Sequence, residues 1–228
     1  MIDKTTTIED AVSNVRDGMT VLIGGFGVPG TPFSLIEELA RQGQKGLTLV
    51  KNDANEAGMG IDVLLKNGQV DRLVVSHIGL NPNAIAMMHE GSLVVEFSPQ
   101  GILAERIRAG GAGLIWFLTD IGLGTVLAEG KPQVEVAGRT GIVETALRAD
   151  VAFIHAHRAD PFGNLRYQAS AQNFNPLMAT AAATVIAEAE ELTALGGLAP
   201  DVVHTPGPFV DHVVHIPELL ESYGVVVR

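Results

Sequence analysis

Apolar positions along this chain fall into short, nearly uninterrupted runs that alternate with stretches of helical spacing. Thr20–Ile23, Leu47–Val50, Arg72–Val75 and Leu93–Phe97 are such runs. They have the length of strands, and near-continuous apolar character marks strands covered on both faces. Between them, Pro32–Gln42 carries Phe33, Ile36 and Leu39 along one side, with Glu37 and Glu38 turned outward. Ile61–Lys66 and Asn83–His89 read as further helices, and Ile8–Val15 has helical spacing ahead of the first run. Pro99 opens another helix, which Gly110-Gly111 ends, because proline fits a helix start and glycine its close. Strand and helix in alternation predict an α/β fold, a mostly parallel sheet with helices on both faces.

Beyond Gly113 the pattern changes. Leu114–Leu118 is apolar, and Thr119–Thr125 is a glycine-rich loop. Val134–Val136 and Ile142–Glu144, separated by Gly138 and Gly141, predict a hairpin, a small β region inserted into the α/β frame. Val151–His155 is a further buried strand, and His157–Pro176 a long polar connection turning at Asp160-Pro161-Phe162-Gly163-Asn164. Met178–Ala183 reads as helix and Thr184–Ala187 as strand. No linker or charge run marks a boundary, so residues 1–228 are expected to form one domain.

Right-handed crossovers bring the C-terminal ends of parallel strands, and the loops that follow, to one edge. That edge would gather Gly24–Gly30, Asn52-Asp53, Ser76-His77 and Ser98-Pro99-Gln100-Gly101. The first of these tips stands out. Val21, Leu22 and Ile23 run into Gly24-Gly25-Phe26-Gly27-Val28-Pro29-Gly30, and a helical pattern follows. Glycine loops allow close backbone approach, and a helix start offers free N–H groups to an anion. Gly25–Gly30 also satisfies G-x-G-x-x-G, and Asp53 falls near where a ribose-binding carboxylate would sit, which keeps a nicotinamide-dependent oxidoreductase open. Against it, Pro29 removes a donor inside the loop, and Pro32 places the helix start beyond the motif.

Composition narrows the classes. The 228 residues are 46% hydrophobic, enough for a full core, and contain no cysteine, which excludes disulfides and thiolate chemistry. No apolar run approaches the roughly 20 residues needed to span a bilayer, and no secretory signal opens the chain. A cytoplasmic protein without a membrane partner is the expectation. A formal charge of −11 weighs against nucleic acid, whose binding rests on basic contacts to phosphate.

The string Asp17–Pro32 resembles the glycine-loop signature that opens the α subunit of family I coenzyme A transferases. The resemblance extends to about His215 and includes Pro99–Gly113, Asn173-Phe174-Asn175-Pro176 and His204-Thr205-Pro206-Gly207. It implies that Gly24, Gly25, Phe26, Gly27, Val28, Pro29 and Gly30 bind coenzyme A. It also implies that Gln100 approaches the reacting carboxyl, where a neutral amide can donate without adding a titrating group; a helix cap is the alternative role. Val74–Gly79, Asn81-Pro82 and Asn52-Asp53 are similar to the branch acting on acetoacetate and short-chain acids. Asn52 could offer donor and acceptor to a substrate carboxylate.

Members of that family work by a ping-pong route through a glutamate carried by the β subunit in a Ser-Glu-Asn-Gly motif, in α2β2 assemblies, with no metal or redox cofactor. This chain has no such motif, so its catalytic glutamate is expected from the partner. A non-catalytic acyl-CoA-binding subunit remains a further alternative. A net-acidic chain must also bind a polyanion, so the partner is expected to lend positive field. One departure stands in Thr119-Asp120-Ile121-Gly122, where Asp120 replaces a usual proline. His77 is read as a structural residue at a strand tip. His155, His157, His204, His212 and His215 lack the spacing of a metal set.

Overall fold

The computed structural model describes residues 2–220 and 222–223. Its main sheet is built from β1 (Thr20–Ile23), β2 (Leu47–Val50), β3 (Val70–Val75), β4 (Val94–Phe97), β8 (Ala149–Ala159), β10 (Ala182–Leu192) and β11 (His212–His215). They lie in the order β11-β10-β8-β1-β2-β3-β4, every pair parallel. Short β9 (Leu165–Arg166) pairs antiparallel with the far end of β8. A second sheet, β5 (Trp116–Thr119), β7 (Arg139–Thr145) and β6 (Gln133–Val136), is antiparallel in the order β5-β7-β6.

Helices cover both faces, as the alternation predicts. On one face, α1 (Ile8–Val12), α2 (Phe33–Gln42), α3 (Ile61–Lys66) and α4 (Pro82–Glu90) pack Leu35, Ile36, Leu39, Ile61 and Leu64 on Val21, Ile23, Leu49 and Leu73. On the other, α5 (Gln100–Gly111) and α6 (Asn175–Thr180) pack Leu103, Ile107 and Met178 on Leu22, Val74, Ala152 and Ile154. Alternate strand residues thus feed two separate cores, which is why these strands read as continuous apolar runs.

Several boundaries differ from expectation. The first helix stops at Val12, where Ser13 turns its hydroxyl back to the Asp10 carbonyl. Pro32 caps α2 rather than starting it, and Asn81 caps α4 with its side chain on the N–H groups of Asn83 and Ala84. Strand β8 runs four residues beyond His155, and the expected helix Met178–Ala183 begins and ends earlier, as α6. Strand β11 is missed by the pattern because only Val213 and Val214 are apolar between two histidines. The hairpin turns at Ala137-Gly138 with positive φ at both residues, a geometry matched to strand twist.

From β1 the chain moves outward through β2, β3 and β4, then returns to β8 on the other side of β1. The order therefore reverses between β1 and β8. Open parallel sheets form their ligand crevice at such a point, outside the strand C-termini.

Candidate functional site

The glycine loop leaves β1 at that reversal, and its backbone is gripped from several sides. The Gly24 N–H donates to the Phe153 carbonyl on β8 at 2.9 Å. Asn175 donates to the Gly30 carbonyl (3.0 Å) and the Ala171 carbonyl (2.8 Å), while its oxygen accepts the His155 N–H. Asn173 donates to the Pro29 carbonyl at 2.9 Å, and Asn55 to that of Gly27 at 2.9 Å. Glycine is required at two places for lack of room. A Cβ on Gly24 would stand 1.9 Å from the Asn175 oxygen, and one on Gly25 2.6 Å from the Thr31 nitrogen. Among the described residues, the N–H groups of Gly25, Val28 and Gly30 donate to nothing within the chain. Val28 is half-buried.

Beneath the loop lies Asp53, 4% exposed, at the end of β2. One carboxylate oxygen accepts the Gly27 N–H (2.8 Å) and the Asn52 amide (3.0 Å). The other accepts the Asn55 N–H (2.9 Å) and faces the fully buried Lys51 ammonium at 3.4 Å. Burial would raise the Asp53 pKa, but Lys51 and these donors outweigh it and hold the carboxyl below its usual range. Burial pulls Lys51 below the ordinary ammonium range, with Asp53 opposing.

Asn52 carries the network to the next strands. Its carbonyl oxygen accepts from the Gln100 amide at 2.8 Å and the Ser76 hydroxyl at 3.0 Å. It is fully buried with both polar ends engaged, and it holds Gln100 in place. Gln100 is exposed, is the first residue of α5, and points its amide at Asn52 rather than at its own helix. The capping alternative is therefore not what the structure shows. His77 joins Asp53 through a parallel bridge and lines the cleft with Phe26, Gly27, Val28, Asn55, Glu56, Met59 and Leu80. All four expected tips do meet at one edge. The cleft holds only about 80 Å³, against roughly 300 Å³ for the smallest ordinary ligand sites. A wider hollow of about 510 Å³ near Leu195 and Pro206 is also lined by Asp160 and Asn164, which are tied to each other within one turn, Asp160 accepting from the Asn164 amide and from the Phe162 and Asn164 N–H groups.

One sequence expectation is corrected at the helix start. The Phe33 N–H donates to the Tyr223 hydroxyl (3.0 Å) and the Leu35 N–H to the buried Glu188 carboxylate (3.0 Å). The α2 N-terminus is thus filled from within and offers nothing to an anion. That helix starts after Gly30, and Asp53 is committed below the loop, so neither half of the dinucleotide motif has its required geometry. Among the acids, Glu96 is held by Arg72 and Arg106 and Glu144 by Lys131. Glu56 is exposed at the cleft rim.

Lys51, Asn55 and the Glu188 group have no motif signature. Glu188 accepts from His155 Nδ1 at 2.8 Å and from the Tyr223 hydroxyl; Glu190 accepts from His155 Nε2 (3.0 Å) and His157 Nδ1 (3.1 Å). Burial opposes the charged form of His155, but the two carboxylates prevail and raise its pKa to about 9. Both nitrogens of His155 are thereby occupied by carboxylates. Among the described residues no group of three or more His, Asp or Glu side chains is arranged to hold a metal ion, and no helix is long and apolar enough to cross a membrane.

The model of the family described as coenzyme A transferase matches residues 5–215. The acetate CoA-transferase subunit alpha of Escherichia coli K12 is 48% identical over 94% of this chain and 97% of its own length. The acetoacetyl-CoA:acetate/butyrate CoA transferase alpha subunit of Clostridium acetobutylicum is 43% identical over 95% and 100%. Among solved structures, an acyl-CoA transferase of E. coli O157:H7 superposes with a TM-score of 0.87 at 22% identity. The match covers 96% of this chain but 48% of that one, so this chain spans about half its length. Matched from Thr5 to His215, on a mostly parallel sheet shared with solved transferases, the chain belongs to the coenzyme A transferase family and to its α, or A, subunit type.

Proposed function

We propose that this chain, as one α unit across residues 1–228, moves coenzyme A between an acyl-CoA and a free short-chain or 3-oxo carboxylic acid in the cytoplasm. It works with a β subunit as α2β2, needs no metal or redox cofactor, and uses neither nucleic acid nor membrane. The observation that carries this reading is the chain of hydrogen bonds from Gln100 through Asn52 and Asp53 to Gly27, which ties the start of α5 to the glycine loop beside a small cleft whose buried carboxylate, Asp53, is paired with Lys51.

The nucleophile is a glutamate of the partner, and the route is ping-pong. Its carboxylate attacks the acyl-CoA carbonyl, giving an acyl-glutamyl anhydride and free CoA thiolate. The thiolate attacks the glutamyl carbonyl, releases the first acid, and leaves a glutamyl thioester. The acceptor carboxylate then reverses both steps and departs as the new acyl-CoA. Each step builds an oxyanion, and donors set in advance stabilise it; one such donor is worth about 3 kcal/mol. Gly24–Gly30 supplies main-chain surface for the thioester and Gln100 a side-chain amide.

A transfer assay from acetoacetyl-CoA to a panel of carboxylates, with the chain alone, the β subunit alone and the two mixed, tests the reading. Transfer only in the mixture supports it. Binding of acyl-CoA without transfer in the mixture would support a regulatory subunit instead.

A further inference from the structure

The register of the small sheet places its apolar residues on the wrong side for a solvated face. Strand residues alternate between faces. Pairing of Phe117 with Glu144, Thr119 with Ile142 and Gln133 with Ile142 puts these on one face, the one that buries Ile142 and Glu144. The opposite face collects Trp116, Leu118, Val143, Val134 and Val136. Trp116 is 56% exposed, Val136 54%, Val134 41% and Leu118 39%. Its one guanidinium, Arg139, is neutralised by Asp120 at 2.8 Å. An antiparallel sheet with a free face normally carries polar residues there, and a contiguous apolar patch marks an interaction surface.

We propose that this face is the docking surface for the β subunit. The proposal rests on the reading of the chain as one half of a transferase. Continuity with the site identifies the occupant. Edge strand β4 exposes Val94 and Phe97, and Glu96 between them binds Arg106, which donates to the Thr145 carbonyl directly opposite Trp116. Phe97 pairs with Val75, next to the Ser76-His77 tip, and Gln100 follows three residues on. A partner that closes the cleft from the β4 side therefore lies along the small sheet as well.

The chain has a single tryptophan, which makes the face directly observable. The chain is labelled with 5-fluorotryptophan and mixed with the unlabelled β subunit encoded in the same genome, and association is followed independently by sedimentation. The expected result is a shifted fluorine resonance and protection of Trp116 from acrylamide in the complex. Trp116→Glu is expected to weaken association by about 30-fold or more, the effect of losing one buried aromatic anchor. A sedimenting complex with Trp116 still exposed overturns the proposal, and so does protection that grows with concentration of the chain alone. A complex that covers Trp116 but transfers nothing upholds the surface while removing the functional reading.

Discussion

The Gln100 side-chain amide donates to the Asn52 carbonyl oxygen across 2.8 Å, joining the start of α5 to the end of β2. Asn52 is itself held by Asp53, and Asp53 holds Gly27. An exposed amide and a glycine loop far apart in sequence are thereby fixed to one buried carboxylate. Groups that stabilise a developing charge act through such prior fixation.

Gln100→Ala is expected to lower turnover of the reconstituted enzyme by about 10- to 1,000-fold with little change in melting temperature. Asn52→Ala should lower turnover through the same amide and also destabilise, since it is buried. The double variant should cost far less than the sum of the two activity losses, as expected of groups acting as one unit. Steady-state kinetics on the three variants check this; additive losses would mean that Asn52 does not act through Gln100.

Asp53→Ala leaves the Lys51 ammonium buried without its partner. Breaking such a pair from one side costs about 3–5 kcal/mol. Adding Lys51→Met should recover part of that stability in urea unfolding. It should not recover transfer, because the Gly27 and Asn52 donors still lack their acceptor.

Gly25 and Gly27 should respond differently. At Gly25 a Cβ meets Thr31 backbone at 2.6 Å with φ at +97°, so Gly25→Ala displaces the loop and destabilises the chain. At Gly27 nothing lies within 4 Å of a Cβ, and only φ, +60°, opposes substitution, a cost of about 1–2 kcal/mol for a left-handed residue. Gly27→Val should therefore keep the fold yet abolish transfer, because its side chain enters space assigned to the thioester. Calorimetry and acyl-CoA binding on both variants give the comparison.

The His155 pair predicts a pH dependence. Its folded pKa, about 9, lies above the unfolded value near 6.5, so the protonated form is favoured by folding. Its contribution is fully present below about pH 6.5 and fades as pH rises through about 9. The shift corresponds to a contribution on the order of 3 kcal/mol. Urea midpoints between pH 6 and 10 should fall for the wild type relative to His155→Gln; parallel curves would remove the charge from the account.

The fold was legible where alternation was strong. β1 and β2 match their predicted limits, and the loops after β1–β4 meet at one edge as crossover geometry requires. Tertiary pairing decided the rest. β11 has two apolar residues and is a strand because β10 supplies a parallel partner. Resemblance picks out Asn52, but not that its oxygen accepts from both Gln100 and Ser76 while its amide donates to Asp53, contacts that only the folded chain brings together. Lys51 was invisible, because a buried lysine two residues from its aspartate looks like any strand-end charge. The α2 N-terminus looked open in sequence, since Glu188 and Tyr223 reach it from more than 150 residues away.

Whether this chain holds the thioester while another polypeptide attacks it is decided by locating the covalent intermediate. The reconstituted enzyme is incubated with acyl-CoA without acceptor, quenched, and both chains are mapped by mass spectrometry. An adduct is expected on a glutamate of the β subunit and none on this chain. A coenzyme A or acyl adduct on this chain, at Glu56 on the cleft rim above all, would contradict that expectation.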